Sequence, residues 1–261
     1  MIPSALERLG EILAFARDKH IAIFLDYDGT LTPIVSHPED AWPSDSMRWA
    51  LSELAARMPV AILSGRDLDD VRRRVDIAAM VYAGSHGFDI AGPHGLRKQM
   101  GIEFLPKLEM AKKDLQQALD GISGAHVEQK RFSIAAHYRN VKEENVPKVK
   151  QAVGEVASRH RELRKMRGKK VQELQPDIDW NKGRALVWLL ETLGFDGRNV
   201  FPIYIGDDRT DEDAFRALAS RGVGILVSEE PQYTAASYSL KDPVEVERFL
   251  RALTAHLFNI R

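Results

Sequence analysis

Three short polar clusters stand immediately after apolar runs: Asp26-Tyr-Asp-Gly-Thr30, Ser64-Gly-Arg66 and Gly206-Asp-Asp-Arg-Thr-Asp-Glu-Asp213. An Asp side chain with an ordinary pKa of roughly 3.9 is ionised at neutral pH, so Asp26 and Asp28 can act as carboxylate nucleophiles or as ligands of a hard metal. Gathered in one cleft with Asp207 and Asp208 they would repel one another, and a divalent cation is the natural neutraliser. An all-oxygen donor set in a chain without cysteine favours Mg2+. A plain turn would also explain Asp28-Gly29-Thr30, with Asp and Gly there for their backbone conformations. A second acidic cluster after a different apolar run weighs against that. This second cluster is not a calcium loop of the EF-hand kind: counted from Asp207, the sixth position requires glycine and holds Glu212. It does read as a helix start, with Thr210 as N-cap and Asp213 closing a capping box.

Ser64, followed by Gly65 and Arg66, occupies a strand-to-helix turn. Its hydroxyl either caps the helix or joins exposed backbone N–H groups in receiving phosphate oxygens. It lacks the G-x-S-x-G setting of a hydrolase serine. Lys182, in Trp180-Asn-Lys-Gly-Arg184, opens a helix, where the helix dipole disfavours a cation. An anionic cleft facing that first turn would remove the penalty and make the ammonium a counter-charge for phosphate; a solvated loop lysine is the alternative. His86, in Gly84-Ser-His-Gly87, is either a ligand contact or part of a turn. None of the eight His residues shows H-E-x-x-H or another metal spacing. The run Arg159–Lys170 carries seven basic residues against Glu162. It reads as a solvated hairpin with the preceding helix end, or as an attraction for an anionic ligand.

The elements that must position these residues follow from hydrophobic pattern. Ile21–Leu25, Pro59–Leu63, Val81–Ala83, Phe201–Ile205 and Val223–Val227 are apolar on both faces and too short for helices, so they read as buried strands. Helical spacing marks Leu6/Leu9/Leu13, Met47/Leu51/Leu54/Met58 with Ser44 or Asp45 as cap, a charged stretch from about Asp67, Trp188/Leu189/Leu193, Ala214–Ala219 and Val244–Leu257. Strands alternating with helices predict a Rossmann-like parallel sheet covered on both faces. Between about 104 and 175 the texture changes to helix (Lys107–Leu119), strands (His126–Tyr138), helix (Val146/Val149/Val153/Val156) and strands (Leu163–Gln175). The expected division is an α/β core of 1–103 and 176–261, interrupted by an α+β insert at 104–175. In an open parallel sheet the carboxyl ends of the strands converge on one crevice, so clusters far apart in sequence can share a site.

Composition narrows the classes. The 261 residues are 44% hydrophobic and 29% charged, enough for a core in one large domain or two modest ones. The absence of cysteine excludes disulfides, thiolate metal sites and cysteine nucleophiles. A net charge of −1 gives no global field for nucleic acid or an anionic membrane. No apolar run approaches the roughly 18 residues that cross a bilayer, and the charged N-terminal stretch lacks a signal peptide's apolar centre. The expectation is a soluble, cytoplasmic monomer that binds a small molecule rather than nucleic acid or membrane.

The residues resemble a known family. Asp26-Tyr-Asp-Gly-Thr-Leu31, Ser64, Lys182 and Gly206-Asp-Asp208 resemble the four motifs of the haloacid dehalogenase superfamily of phosphatases. More narrowly, Asp26 to Pro33, Ser64-Gly-Arg66, Gly84-Ser-His-Gly87, Val127-Glu-Gln-Lys130, His137-Tyr-Arg139, Trp180-Asn-Lys-Gly183 and Gly206 to Glu212 resemble the trehalose-6-phosphate phosphatases, over roughly residues 20–250. The resemblance implies a phosphoric monoester hydrolase in which Asp26 attacks phosphorus and Asp28 serves as acid and then base. It implies Mg2+ held by Asp26, the backbone carbonyl of Asp28, and Asp207. Ser64 and Lys182 would hold phosphoryl oxygens, and Asp208 and Asp211 would support the metal and Lys182. Gly65, Arg66, His86 and Gly87 would line the substrate. The insert would be a closing cap whose Glu128, Lys130, Arg139 and Glu173 bind glucose hydroxyls. Two other readings remain: a capped phosphatase for sucrose phosphate or mannosylglycerate phosphate, and a catalytically silent sensor of trehalose 6-phosphate.

Overall fold

The computed structural model describes residues 2–168, 170–195, 197 and 199–258, so Lys169 of the basic run lies outside the described residues. From the N-terminus the elements are α1 (Leu9–Phe15), β1 (His20–Leu25), α2 (Asp45–Ala55), β2 (Val60–Leu63), α3 (Leu68–Val75), β3 (Val81–Gly84), β4 (Asp89–Ala91) and β5 (Arg97–Gln99). Next come α4 (Leu105–Leu119), β6 (His126–Gln129), β7 (Ile134–His137), α5 (Val146–Arg159), β8 (Leu163–Gly168) and β9 (Val171–Pro176). The chain ends with α6 (Lys182–Thr192), β10 (Val200–Gly206), α7 (Glu212–Leu218), β11 (Val223–Val227), β12 (Tyr238–Leu240) and α8 (Pro243–Phe258). Two compact units form, Met1–Lys98 with Trp180–Arg261, and Gln99–Asp179.

In the first unit an eight-stranded sheet runs in the order β12-β11-β10-β1-β2-β3-β4-β5. The pairs from β12 to β3 are parallel, as a Rossmann-like core requires, but β4 turns back antiparallel to β3. β4, β5 and β12 have three residues each, too few for a hydrophobic period to betray them. On one face Ile23, Leu25, Ile62, Ile203 and Ile205 pack with Met47, Leu51 and Leu54 of α2 and Phe249 and Leu253 of α8. The α2 start is fixed by Ser44, whose hydroxyl accepts the Met47 N–H at 3.0 Å. The chain leaves β1 toward β2 and β3 on one side and returns through β10 on the other. That reversal beside β1 is a topological switch point, the place where open parallel sheets form a ligand crevice at their strands' carboxyl ends. Asp26, Ser64 and Asp207 immediately follow β1, β2 and β10.

The second unit is a four-stranded antiparallel sheet, β6-β7-β9-β8. Leu108, Ala111 and Leu115 of α4 and Val149, Val153 and Val156 of α5 pack with Ile134, Ala136 and Leu174. Successive strand residues alternate faces, so Glu128, Ala135, His137 and Glu173 belong to the face opposite that core. The basic run supplies β8, an edge strand whose Arg164 donates to the Ile178 carbonyl at 2.9 Å. Cationic side chains on an edge oppose pairing with a further strand, which suits the hairpin reading and gives the charge a structural use. Among the described residues no helix is long and apolar enough to cross a membrane.

Candidate active site

Asp26 continues the β1–β10 ladder, its N–H donating to the Ile205 carbonyl at 2.8 Å. The chain then folds tightly: Leu31 N–H donates to the Tyr27 carbonyl (2.8 Å), Gly29 N–H to the Thr32 carbonyl (2.8 Å), and the Tyr27 hydroxyl to the Ala41 carbonyl (2.8 Å). Gly29 has φ +88°, and a Cβ there would lie 2.2 Å from Asp207 Oδ2. Glycine is needed twice over, for the left-handed backbone and for the approach of the Asp207 carboxylate to this turn.

Lys182 is the first residue of α6, whose cap Asn181 accepts the Arg184 N–H at 2.9 Å. It is 2% exposed, and its ammonium donates to Asp26 Oδ1 at 2.6 Å and Asp211 Oδ1 at 2.7 Å. These carboxylates answer the dipole penalty of a cation at a helix start. Asp211 Oδ1 also accepts the Tyr204 hydroxyl (2.7 Å), and its Oδ2 accepts the Asp208 N–H (2.9 Å). Asp208 Oδ1 takes the Arg209 N–H at 2.7 Å, so Asp208 is the N-cap of the turn Arg209–Asp211 and Asp211 completes its capping box. The box therefore lies two residues before the expected Thr210–Asp213 pair, because the chain makes a 3-10 turn before α7 begins. Asp211, as expected, reaches Lys182. The Asp208 carboxylate caps its own turn. Tyr204 is the member that sequence reasoning missed; a hydroxyl on an otherwise apolar buried strand was the available signal.

Burial, followed by Asp211 and Asp207, pushes the Asp26 carboxyl well above the ordinary range, against the pull of Lys182. Burial alone would lower Lys182, but Asp211 and Asp26 outweigh it and keep the ammonium charged. Burial, then Asp211, also raises the Tyr204 phenol, so it stays a donor.

Ser64 is fully buried, and its Oγ accepts the Arg66 N–H at 3.1 Å. Helix α3 starts only at Leu68, after Asp67, so Ser64 is not its cap and the phosphate reading loses the direct helix start. The turn is stitched to the segment after β3: Ser85 N–H donates to the Arg66 carbonyl (2.6 Å) and His86 N–H to the Ser64 carbonyl (2.8 Å). Ser85, His86 and Gly87 have φ values of +49°, +58° and +91°. Such a run of left-handed residues is held only by its surroundings. Here the Trp180 indole donates to the Gly87 carbonyl at 2.8 Å, and a Cβ on Gly87 would meet the Ala185 methyl at 2.4 Å. His86 lies against Gly65, where a Cβ would stand 2.8 Å from the imidazole Cε1. Ser64, Gly65, His86, Gly87 and the start of α6 are thus one packed assembly.

Arg66 grips Asp28 with two bonds, Nε to Oδ2 at 2.7 Å and Nη2 to Oδ1 at 2.6 Å. It also donates to Asp70 Oδ2 (3.0 Å) and the Pro38 carbonyl (2.8 Å), and stacks 5.1 Å from the Tyr27 ring centroid. Asp70 in turn accepts from Arg74 (2.9 Å), which is anchored on the Glu39 and Ala41 carbonyls, each at 3.1 Å. Any share of Asp28 in holding a cation therefore falls to its backbone carbonyl.

In the second unit the register puts Glu128 and Glu173 on either side of Ala135 in one cross-strand row. Lys130 donates to Glu173 Oε1 at 2.5 Å, and His137 Nε2 lies 2.7 Å from Glu128 Oε2. Arg139 lies past the end of β7, exposed in the following turn, rather than in that row.

Asp26, Asp207 and Asp211 bring carboxylate oxygens within 4.8 Å of one another, all buried. One ammonium against three buried carboxylates leaves few positive groups to balance them, and hard oxygen donors fit a small divalent cation. Asp211 is already engaged by three donors, so Asp26 and Asp207 are the better placed ligands.

The chain is similar in sequence and fold to known proteins. A family model described as trehalose-phosphatase matches residues 24–244. The trehalose 6-phosphate phosphatase RA3 of Zea mays is 47% identical, over 96% of this chain and 74% of that protein. The structure of the C. albicans trehalose-6-phosphate phosphatase C-terminal domain superposes with TM-score 0.86 at 22% identity, covering 98% of this chain and 99% of that one. A haloacid dehalogenase-like hydrolase from Bacteroides thetaiotaomicron shares the fold at TM-score 0.65 and 17% identity, over 90% of this chain and all of that one (100%). The chain belongs to the trehalose-phosphatase family of phosphoric monoester hydrolases.

Proposed function

We propose that this protein hydrolyses trehalose 6-phosphate to trehalose and inorganic phosphate, with Mg2+ as cofactor and an aspartyl-phosphate on Asp26 as intermediate. The observation that carries the reading is the buried set of Asp26, Lys182 and Asp211, with Asp207 against the Gly29 turn. The substrate is the one for which the Zea mays relative, 47% identical, is named.

A carboxylate oxygen of Asp26 attacks phosphorus, and the bond from phosphorus to the sugar oxygen breaks. Asp28 gives its proton to the departing oxygen. Asp28, again a carboxylate, then takes a proton from water as that water attacks phosphorus, and Asp26 is released with phosphate. Lys182 fixes the Asp26 rotamer and supplies positive charge beside the phosphoryl oxygens, with Ser64 as hydroxyl donor. Phosphoryl transfer depends mainly on such positioning and charge neutralisation. Bound Mg2+, held by Asp26, Asp207 and the Asp28 carbonyl, would add Lewis-acid neutralisation of the phosphoryl charge. Arg66 holds both oxygens of Asp28, so Asp28 must exchange one of these bonds for the departing oxygen or the attacking water. Glu128, Lys130, Glu173 and Arg139 carry recognition of the sugar hydroxyls.

The test is phosphate release from a panel of sugar phosphates, including sucrose phosphate and mannosylglycerate phosphate, with Mg2+ and with a chelator. Trehalose 6-phosphate should be turned over fastest and only with the metal, and Asp26→Asn should abolish turnover in a folded protein. Binding without turnover would favour a sensor; faster release from another sugar phosphate would replace the substrate.

A further inference from the structure

The cross-strand row in the second unit holds two carboxylates in unlike situations. The Glu173 side chain is 10% exposed and ion-paired with Lys130, whereas the Glu128 side chain is 43% exposed. Glu128 therefore has more of its carboxylate to offer to a ligand. An exposed carboxylate on a strand samples several rotamers unless a neighbour restrains it. The neighbour is His137. Register pairs Glu128 with Ala135 and His126 with His137, so His137 is the diagonal partner of Glu128 on the same face. Diagonal positions are about 7–8 Å apart, within reach of two long side chains. The imidazole Nε2 stands 2.7 Å from Glu128 Oε2. An ionised carboxylate only accepts, so His137 must be the donor through Nε2–H. That bond is the first cause holding the Glu128 carboxyl below its ordinary range, ahead of the charge of Lys130. On the other side the His126 ring stacks on His137, with centroids 6.1 Å apart and planes at 30°, limiting rotation of the imidazole.

We propose that His137 is a positioning residue for substrate specificity: by holding Glu128 Oε2 it keeps the carboxylate in one rotamer, with Oε1 presented to a substrate hydroxyl. The inference rests on Glu128 being a sugar ligand. A hydroxyl must find its acceptor in place, and a fixed acceptor binds without the entropy loss of ordering it. His137 touches no reacting atom in this scheme; it acts through Glu128.

The experiment is a double-mutant cycle in the full chain, reading kcat/KM for trehalose 6-phosphate relative to p-nitrophenyl phosphate, which has no sugar to recognise. His137→Ala should lower that ratio about tenfold, the scale of a hydrogen bond to a charged group. The fall should appear in KM. His137→Gln, which keeps an N–H donor, should recover part of it. In a Glu128→Ala background, His137→Ala should change the ratio no further, because its effect passes through Glu128. An unchanged ratio in His137→Ala, or the same fall in both backgrounds, would overturn the inference. Hydrolysis of p-nitrophenyl phosphate reports whether each variant has folded, and the Gln variant carries the test if the Ala variant has not. If Glu128→Ala alone leaves the ratio unchanged, the sugar-ligand reading of Glu128 is what fails, and the two failures are told apart.

Discussion

Replacing Lys182 by Met keeps the bulk of the side chain and deletes its charge. The wild-type ammonium is 2% exposed and sits 2.6 Å and 2.7 Å from two carboxylate oxygens. At an effective dielectric of about 20, each contact at that separation is worth on the order of 5 kcal/mol before desolvation is subtracted. Removing one partner of a buried pair typically costs about 3–5 kcal/mol, because the other charge stays buried without compensation. Here two carboxylates are left so, and we take about 4 kcal/mol as the expected loss. That is a large share of a total stability of about 5–15 kcal/mol, but it leaves a folded protein to measure. Urea unfolding in metal-free buffer is the assay. The sign with pH follows from linkage: burial already raises the Asp26 carboxyl, and the variant loses the opposing pull of Lys182. The folded variant then takes up a proton on Asp26 more readily than the unfolded chain does, so the deficit against wild type should shrink as pH falls. Added Mg2+ should shrink it too, by supplying the missing positive charge to the folded site. A deficit under about 1 kcal/mol, independent of pH and Mg2+, would refute the view that Lys182 neutralises this cluster.

Two further outcomes follow from other parts of the molecule. Burial would raise the Asp70 carboxyl, but Arg74 and Arg66 outweigh it and hold it below its ordinary value. Its contribution is therefore present above about pH 4 and lost as pH falls below that, so Asp70→Asn should cost about 1–3 kcal/mol near pH 7 in urea unfolding and much less in acid. An equal cost at both pH values would show that the ionised form does not matter. Glu128→Ala should depress kcat/KM for trehalose 6-phosphate by at least about tenfold more than for p-nitrophenyl phosphate, the scale of a lost hydrogen bond to a charged group; equal losses would remove the second unit from sugar recognition.

Much of this was legible in the sequence because its signals were local. β11 occupies the very residues whose apolar run announced it, and the Ser44 cap of α2 was readable from one hydroxyl before a helical stripe. The meeting of Asp26 with the Asp207–Asp211 segment was legible for a different reason: parallel topology sends the ends of the neighbouring strands β1 and β10 to one edge. Lys182, at a helix start, was assigned to the site only by the family resemblance. What escaped depends on partners remote in sequence or on very short elements. Nothing at position 66 announces that its guanidinium takes Asp28 across 38 positions rather than facing outward alone. Tyr204 and His137 are chosen by strand register, which periodicity does not supply. The misplaced capping box at Thr210 shows the same limit at short range. Both Asp208 and Thr210 are good caps three residues before an acid, and the 3-10 turn decided between them.

The central claim is that Asp26 carries the phosphoryl group during turnover. It is tested most directly in Asp28→Asn with p-nitrophenyl phosphate and Mg2+. The nitrophenolate leaves without a proton, so the first step proceeds, while the water of the second step has lost its base. Rapid acid quench and peptide mass mapping should then find one phosphoryl group on the peptide bearing Asp26, and none after Asp26→Asn. A phosphoryl group on any other residue, or unimpaired turnover without the Asp26 carboxylate, would contradict the account.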